Sequence, residues 1–434
     1  MSEEGAELFT INRRKKEKVG EMLYRVWGIA IFCAVVIALA AVNPVAVKAA
    51  DCPDRNSPAS QLAGNNEFAF DLYKKIGSEE TNTGKNIFFS PYSISTALGM
   101  TYAGARGETE RQMAAVLHFS PDQAAVHGAF RDLATSVDGT GKSYQLSVGN
   151  ALWGQQNYPF DSDFLSLISK YYAGGFNTVD FVRETEASRV KINRWVADKT
   201  ADKIQNLLQQ GDISNLTRLV LTNAIYFKSN WATPFEKTMT RPALFKVDAA
   251  TTREVQMMAR TGPLPYVENE QLQAVELPYA GNDLSMLVLL PKTDISVLEQ
   301  QLSLQQLDEL QAQLKPTPVS LYLPRFKFDA RYALQDKKYL PAMGMVDAFD
   351  ERLADFSGLT GNKELFISGV FHKAFIDVNE SGTEAAAATA VVVGLKSMPP
   401  PATIFRADHP FVFLIRHQST GSILFLGRVA NPAQ

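Results

Sequence analysis

The sequence predicts an α+β domain behind a separate N-terminal segment. Three observations carry this reading: helical periodicity dominates the first half of the body, apolar strand-like runs dominate the second half, and two such runs near the C-terminus flank a glycine turn. With 46% apolar residues in 434 and ordinary glycine and proline usage, the chain is long enough to bury a substantial core.

Residues 1–26 form a basic region whose dense cluster, Arg13, Arg14, Lys15, Lys16 and Lys18, precedes an apolar run over 27–42 and the small pair Ala49-Ala50. This is the layout of a secretory signal occupying 27–49 and cleaved after Ala49. Extended through Val47, the apolar stretch nears the ~20 residues that cross a bilayer, so an uncleaved anchor is the alternative. Both readings predict an exported body, extracellular or periplasmic, or one held at a membrane with its folded part outside the cytoplasm.

Residues 50–63 read as a polar linker and 64–434 as one domain, because no proline- or glycine-rich stretch divides the latter. At the start of that domain Phe68, Leu72, Tyr73 and Ile76 share one helical face. Further helical patterns cover 94–102, 110–116, 162–171 and 187–208. The run 284–290 is continuously apolar, as a strand buried on both faces would be. Residues 411–416 and 423–429 then flank His417-Gln-Ser-Thr-Gly421, a hairpin signature.

Several function classes lose their footing. A net charge of −3, with the one dense basic run ahead of the apolar segment, argues against a nucleic-acid binder. Cys33 and Cys52 are the only cysteines, so no disulfide is expected in the body. The five histidines, 118, 127, 372, 409 and 417, show no paired metal-ligand spacing. There is no phosphate loop, no dinucleotide fingerprint and no Gly-x-Ser-x-Gly elbow. No catalytic residue, metal ligand or cofactor is assigned.

The most informative stretch runs from His372 to Val393. It joins a strand-like segment to Gly382, a pivot free of Cβ, then to the small residues Thr383, Ala385, Ala386, Ala387, Ala388 and Thr389, and to three β-branched valines. Composition alone also allows a short surface helix. Pro399, Pro400, Pro401 and a strand-like finish follow, so a loop bracketed by ordered structure fits the position better.

Separated motifs occur in one order along the chain: Asn86-Ile-Phe-Phe-Ser90-Pro91-Tyr-Ser93, Gly104-Ala-Arg-Gly-Glu-Thr109, Leu221-Thr-Asn223-Ala-Ile-Tyr-Phe-Lys-Ser-Asn-Trp231, Leu323-Pro-Arg325-Phe326, Phe371-His-Lys-Ala374 and Asp408-His-Pro-Phe-Val-Phe413. From Asn65 to Pro432 the chain resembles the serpins, the serine protease inhibitors. The resemblance implies a fold of three β-sheets and about nine helices with an exposed reactive loop, here residues 380–406. It implies an irreversible suicide substrate: a serine protease cleaves the loop and is trapped as its acyl-enzyme when the loop inserts into the central sheet. Strand addition and release of stored strain of this kind are general devices, and serpin loop insertion is itself a standard illustration of them.

Family spacing places the reactive bond at Lys396–Ser397, which suits a trypsin-like protease, with Leu395–Lys396 as the alternative for a chymotrypsin- or elastase-like one. The implied hinge is Glu380, Gly382, Thr383, Ala385, Ala386, Ala387 and Ala388. Ser90, Ser93, Asn223 and His372 match the shutter beneath the opening sheet, and Trp231, Arg325 and Glu380 match the breach where the loop enters. The residues suit insertion: Thr383, Ala385, Ala387 and Thr389 would form one small face, and no proline lies between Gly382 and Met398. The implied partner is a serine protease met by a monomer, without nucleic acid, metal or cofactor, and with membrane contact only through the N-terminal segment. A non-inhibitory serpin acting as carrier, chaperone or storage protein is the main alternative; an exported hydrolase and a rigid reversible inhibitor are the others.

Overall fold

The computed structural model describes residues 57–173, 175–383 and 402–433. The basic region, the apolar segment and half of the expected linker lie outside these residues, as do Ala385, Ala386, Ala387, Ala388, Lys396 and Ser397. The described residues belong to one compact unit.

Nine α-helices occur among the described residues: α1 Pro58–Gly77, α2 Pro91–Tyr102, α3 Gly107–Leu117, α4 Gln123–Ser136, α5 Ser162–Tyr172, α6 Thr185–Lys199, α7 Ile295–Gln301, α8 Leu304–Gln313 and α9 Ser357–Thr360. The first starts inside the expected linker 50–63, because the Ser57 side chain accepts from the Ser60 amide and Pro58 suits a first turn. Helix α6 stops short of the expected 208, where Ala201 and Asp202 take left-handed φ of 51° and 59°. Periodicity missed α4, which Asp122 caps through the amides of Ala124 and Ala125.

The fifteen strands among the described residues are β1 Ile87–Phe89, β2 Tyr144–Gln155, β3 Phe176–Val179, β4 Leu219–Asn230, β5 Arg241–Lys246, β6 Thr252–Glu268, β7 Leu272–Pro278, β8 Leu284–Pro291, β9 Lys315–Pro324, β10 Phe326–Ala333, β11 Gly369–Asn379, β12 Gly382–Thr383, β13 Thr403–Arg406, β14 Phe411–His417 and β15 Ile423–Val429. A six-stranded sheet has the order β10-β11-β12-β4-β2-β3. The other nine strands form one hydrogen-bonded network with a narrow waist. Only Tyr266, Val267 and Glu268 of β6, paired with Val275, Ala274 and Gln273 of β7, join the group β5-β6-β9-β13 to the group β1-β15-β14-β8-β7. Three sheets thus exist, two of them sharing the end of one long strand.

Strand β8 is buried at all eight positions, as its unbroken apolar run predicts. The expected hairpin is β14–β15, paired from Phe411↔Val429 onward. Helix α2 carries the motif that begins at Asn86: all its residues except Thr96 are buried, and it contacts β2, β4 and β15. That position sets the Ser90–Ser93 turn directly against the six-stranded sheet.

Candidate functional site

Strands β11 and β4 are the centre of the six-stranded sheet, and they pair only over part of their length. Parallel pairing runs from Gly369↔Val220 to Phe375↔Tyr226. Beyond it the two strands diverge, and β12 stands between them, with Gly382 opposite Asn379 and Asn230 and Thr383 opposite Val378 and Ser229. The first two residues of the small-residue stretch therefore already occupy a strand position inside the sheet.

Gly382 is required there. Its φ is +155°, and a Cβ would sit 2.0 Å from the Ser229 carbonyl oxygen and 2.7 Å from the Asn230 Cα, both backbone atoms that cannot swing aside. Thr383 is 1% exposed, and its hydroxyl shares a 2.7 Å hydrogen bond with the Tyr279 hydroxyl. Tyr279 stacks on Trp231 at 4.6 Å between ring centroids, inclined by 12°. The Trp231 indole Nε1 in turn donates to the Asn379 carbonyl at 3.0 Å. One aromatic pair thus holds both the end of β11 and the start of the inserted strand.

Glu380, in the turn between them, is 2% exposed and accepts from Arg325 Nε at 2.7 Å and from the Thr240 hydroxyl at 2.6 Å. Burial alone would raise this carboxyl, but the Arg325 and Thr240 hydrogen bonds outweigh it and hold the pKa below the usual carboxylate range. Its carbonyl also accepts from the Phe235 amide at 2.8 Å, while Ser381 accepts from the Trp231 amide at 2.9 Å. Because the Arg325 side chain is 42% exposed, the ion pair is partly screened. Glu380→Gln is expected to lower stability by about 1–2 kcal/mol in urea unfolding at neutral pH; an unchanged midpoint would show that the turn holds without the charge.

Deeper in the sheet lies a polar row. Tyr332, His372, Asn223 and Asn150 stand level on β10, β11, β4 and β2. The Ser90 amide donates to His372 Nε2 at 3.1 Å, which leaves Nδ1 to carry the proton and donate to Asn223 Oδ1. Asn223 Nδ2 donates to Ser93 Oγ at 2.7 Å and to Asn150 Oδ1 at 2.6 Å. Asn150 Nδ2 donates to the Ser93 carbonyl at 3.1 Å, and Ser90 Oγ donates to the Leu424 carbonyl at 2.6 Å. Burial pushes the His372 pKa down to about 3, so the ring is neutral. Every polar group in the row is partnered, as a buried network requires. The His372–Asn223 bond crosses the two strands that would have to separate for anything further to enter.

The structure thus brings Ser90, Ser93, Asn223 and His372 into one cluster and Trp231, Arg325, Glu380, Gly382 and Thr383 into another. Sequence reasoning missed Asn150, Tyr332, Thr240 and Tyr279. Asn150 carried a faint signal as an amide in mid-strand; the other three are ordinary residues until pairing sets them beside the cluster. Among the described residues, no group of three or more His, Cys, Asp or Glu side chains could hold a metal ion.

A family model described as "Serpin (serine protease inhibitor)" matches residues 63–432. The chain is 41% identical over 374 residues to a leukocyte elastase inhibitor of Xenopus laevis, covering 84% of this chain and 97% of that protein. It is 40% identical over 380 residues to the leukocyte elastase inhibitor of Homo sapiens, covering 85% and 99%. The crystal structure of uncleaved ovalbumin superposes with a TM-score of 0.76 at 31% identity, covering 86% of this chain and 100% of that one.

These relatives correct the expectation of export or external anchoring. The alignments account for 97% and 99% of the two elastase inhibitors, so the few per cent left over cannot hold a counterpart of residues 1–49, the only basis for that expectation. Among the described residues no helix is long and apolar enough to cross a membrane.

Proposed function

This chain belongs to the serpin family of serine protease inhibitors, and on that premise we propose that it traps its target irreversibly, by driving a cleaved reactive loop into the gap that β12 has opened between β11 and β4. The observation that carries this reading is the lodging of Gly382 and Thr383 between two strands that are joined further down. A strand already started needs no new nucleus, and each later residue adds ladder hydrogen bonds on both sides.

Continuing the antiparallel register of β12 supports one placement for those residues. Thr383 is opposite Val378 and Ser229, so Ala385 would come level with Ile376 and Phe227, Ala387 with Ala374 and Ile225, and Thr389 with His372 and Asn223. Thr383 points into the core toward Tyr279, and strand alternation sends Ala385, Ala387 and Thr389 the same way. Three small side chains are what a close-packed interior accepts without repacking. Thr389 would arrive as a hydroxyl where the His372–Asn223 bond has just been broken, offering both groups a new partner.

Roughly ten added backbone hydrogen bonds at ~1 kcal/mol net each, with apolar burial besides, are comparable with the ~5–15 kcal/mol that keeps a protease folded. The reactive bond on this reading is Lys396–Ser397, and the target is a trypsin-like enzyme. A second reading, cleavage at Leu395–Lys396 by an elastase-like enzyme, is favoured by the relatives named leukocyte elastase inhibitors.

Incubation with trypsin and, separately, with neutrophil elastase tests both. Trapping is expected to leave a detergent-resistant adduct and to release a C-terminal peptide beginning at Ser397 with trypsin or Lys396 with elastase. Complete cleavage by both enzymes without adduct would mean a substrate or carrier instead.

A further inference from the structure

Strand β13 follows the reactive segment directly, Ser397 lying six residues before Thr403. It is firmly mounted: Phe405 and Ala407 are fully buried, β13 pairs with β9 from Thr403↔Val319 to Arg406↔Tyr322, and the Ile404 carbonyl accepts from Gln273 Nε2 at 3.1 Å. Its outer face is nevertheless open and partly apolar. Ile404 is 62% exposed, beside Ser320 and Thr261, whose hydroxyls are 3.1 Å apart. On the same face the Arg406 guanidinium lies 4.5 Å from the centre of the Tyr322 ring, with Asp408 3.3 Å from its Nε.

We propose that this face is a docking surface for the body of the target protease, separate from the reactive bond; the inference rests on the trapping function proposed above. Reach makes the contact hard to avoid. Six residues span at most about 20 Å when extended, whereas a protease of some 240 residues has a radius of roughly 20 Å. An enzyme seated on the reactive bond therefore overhangs β13. A specific interface needs about 800 Å² from each partner, more than a few extended residues provide, so neighbouring surface must contribute. The chemistry selects a protease loop with an apolar side chain to cover Ile404 and a carboxylate to meet the part of the Arg406 guanidinium that Asp408 does not face. Residue choice at 404 and 406 then tunes which enzyme is captured quickly, without altering the trap.

The test compares the full chain with an Ile404→Asp/Arg406→Glu double variant and an Ile404→Ala single variant, against trypsin and neutrophil elastase. For the enzyme that wild type inhibits faster, the second-order rate constant is expected to fall about tenfold in the double variant and about threefold in the single one. Adduct yield per cleavage and melting temperature should stay at wild-type values, because neither residue takes part in insertion. Rates within twofold of wild type for both enzymes, with adduct still forming, would overturn the docking surface alone. Absence of adduct from wild type with both enzymes would overturn the trapping function and this inference with it. Should the double variant fail to fold, the single variant decides.

Discussion

Thr383→Arg is expected to turn the inhibitor into a substrate. The variant should be cleaved by its protease at an undiminished rate, while detergent-resistant adduct falls below about a tenth of the wild-type yield. Thr383 is the first side chain of the inserted strand, buried and bonded to Tyr279. A guanidinium there has no carboxylate to meet it in the core, at a cost of several kcal/mol, so residue 383 leaves the sheet already in the intact chain and the freed loop must bear that cost before gaining further hydrogen bonds. The hinge then stays out of the sheet, and the acyl-enzyme hydrolyses before insertion. The same experiment has a thermal readout. Insertion worth ~10 kcal/mol should raise the melting temperature of the cleaved wild type by roughly 10–15 °C for a body of this size, and cleaved Thr383→Arg should gain almost nothing. Equal adduct yields from the two proteins would show that the position does not control entry.

The second large effect concerns acid. His372 is buried and neutral, its pKa pushed down to about 3, against an ordinary value of 6.5 in the unfolded chain. Between these values the unfolded chain binds the proton and the native state does not, so stability is fully present above about pH 6.5 and is lost as the pH falls toward 3. The slope for this one group is about 1.4 kcal/mol per pH unit. Geometry gives the same direction. A proton on Nε2 would face the Ser90 amide, turning a hydrogen bond into a clash of two donors. Because the histidine also spans the strands that must part, acid should loosen the centre of the sheet first. Urea unfolding of wild type and His372→Gln at several pH values isolates the contribution. The difference between them should shrink steadily below pH 6.5; parallel profiles would rule the histidine out as the source of acid sensitivity.

Much of this site was legible in the linear chain. Gly382 and the small residues after it announced a segment free of bulk, and the ordered motifs around Ser90, Asn223, Arg325 and His372 identified the strands and turns that surround Gly382 and Thr383. What the chain did not disclose was partnership. Asn150 enters the polar row only because β2 pairs with β4 in one register, and a shift by one residue would turn its side chain to the opposite face. Tyr279 reads as a core aromatic until its hydroxyl is found on Thr383, and Thr240 is an unremarked loop residue until Glu380 is folded onto it. Helix α4 went unmarked although Val126, Ala129, Phe130 and Leu133 keep helical spacing on one buried face; its cap, Asp122, lies among other polar residues that read as a loop. The apolar N-terminal run misled because a signal layout is a purely local pattern, and the two elastase inhibitors, matched over 97% and 99% of their length, hold no counterpart of it.

The α+β character, the buried strand β8 and the terminal hairpin follow from local properties, namely side-chain size, period and turn chemistry, which neighbours along the chain suffice to specify. Tertiary structure alone decided that Gly382 and Thr383 lie within the sheet, which hydroxyl meets Thr383 there, and that a neutral histidine bridges the strands below. Those facts depend on which strands meet and in what register, and contacts between residues more than a hundred positions apart leave no periodic trace in the sequence.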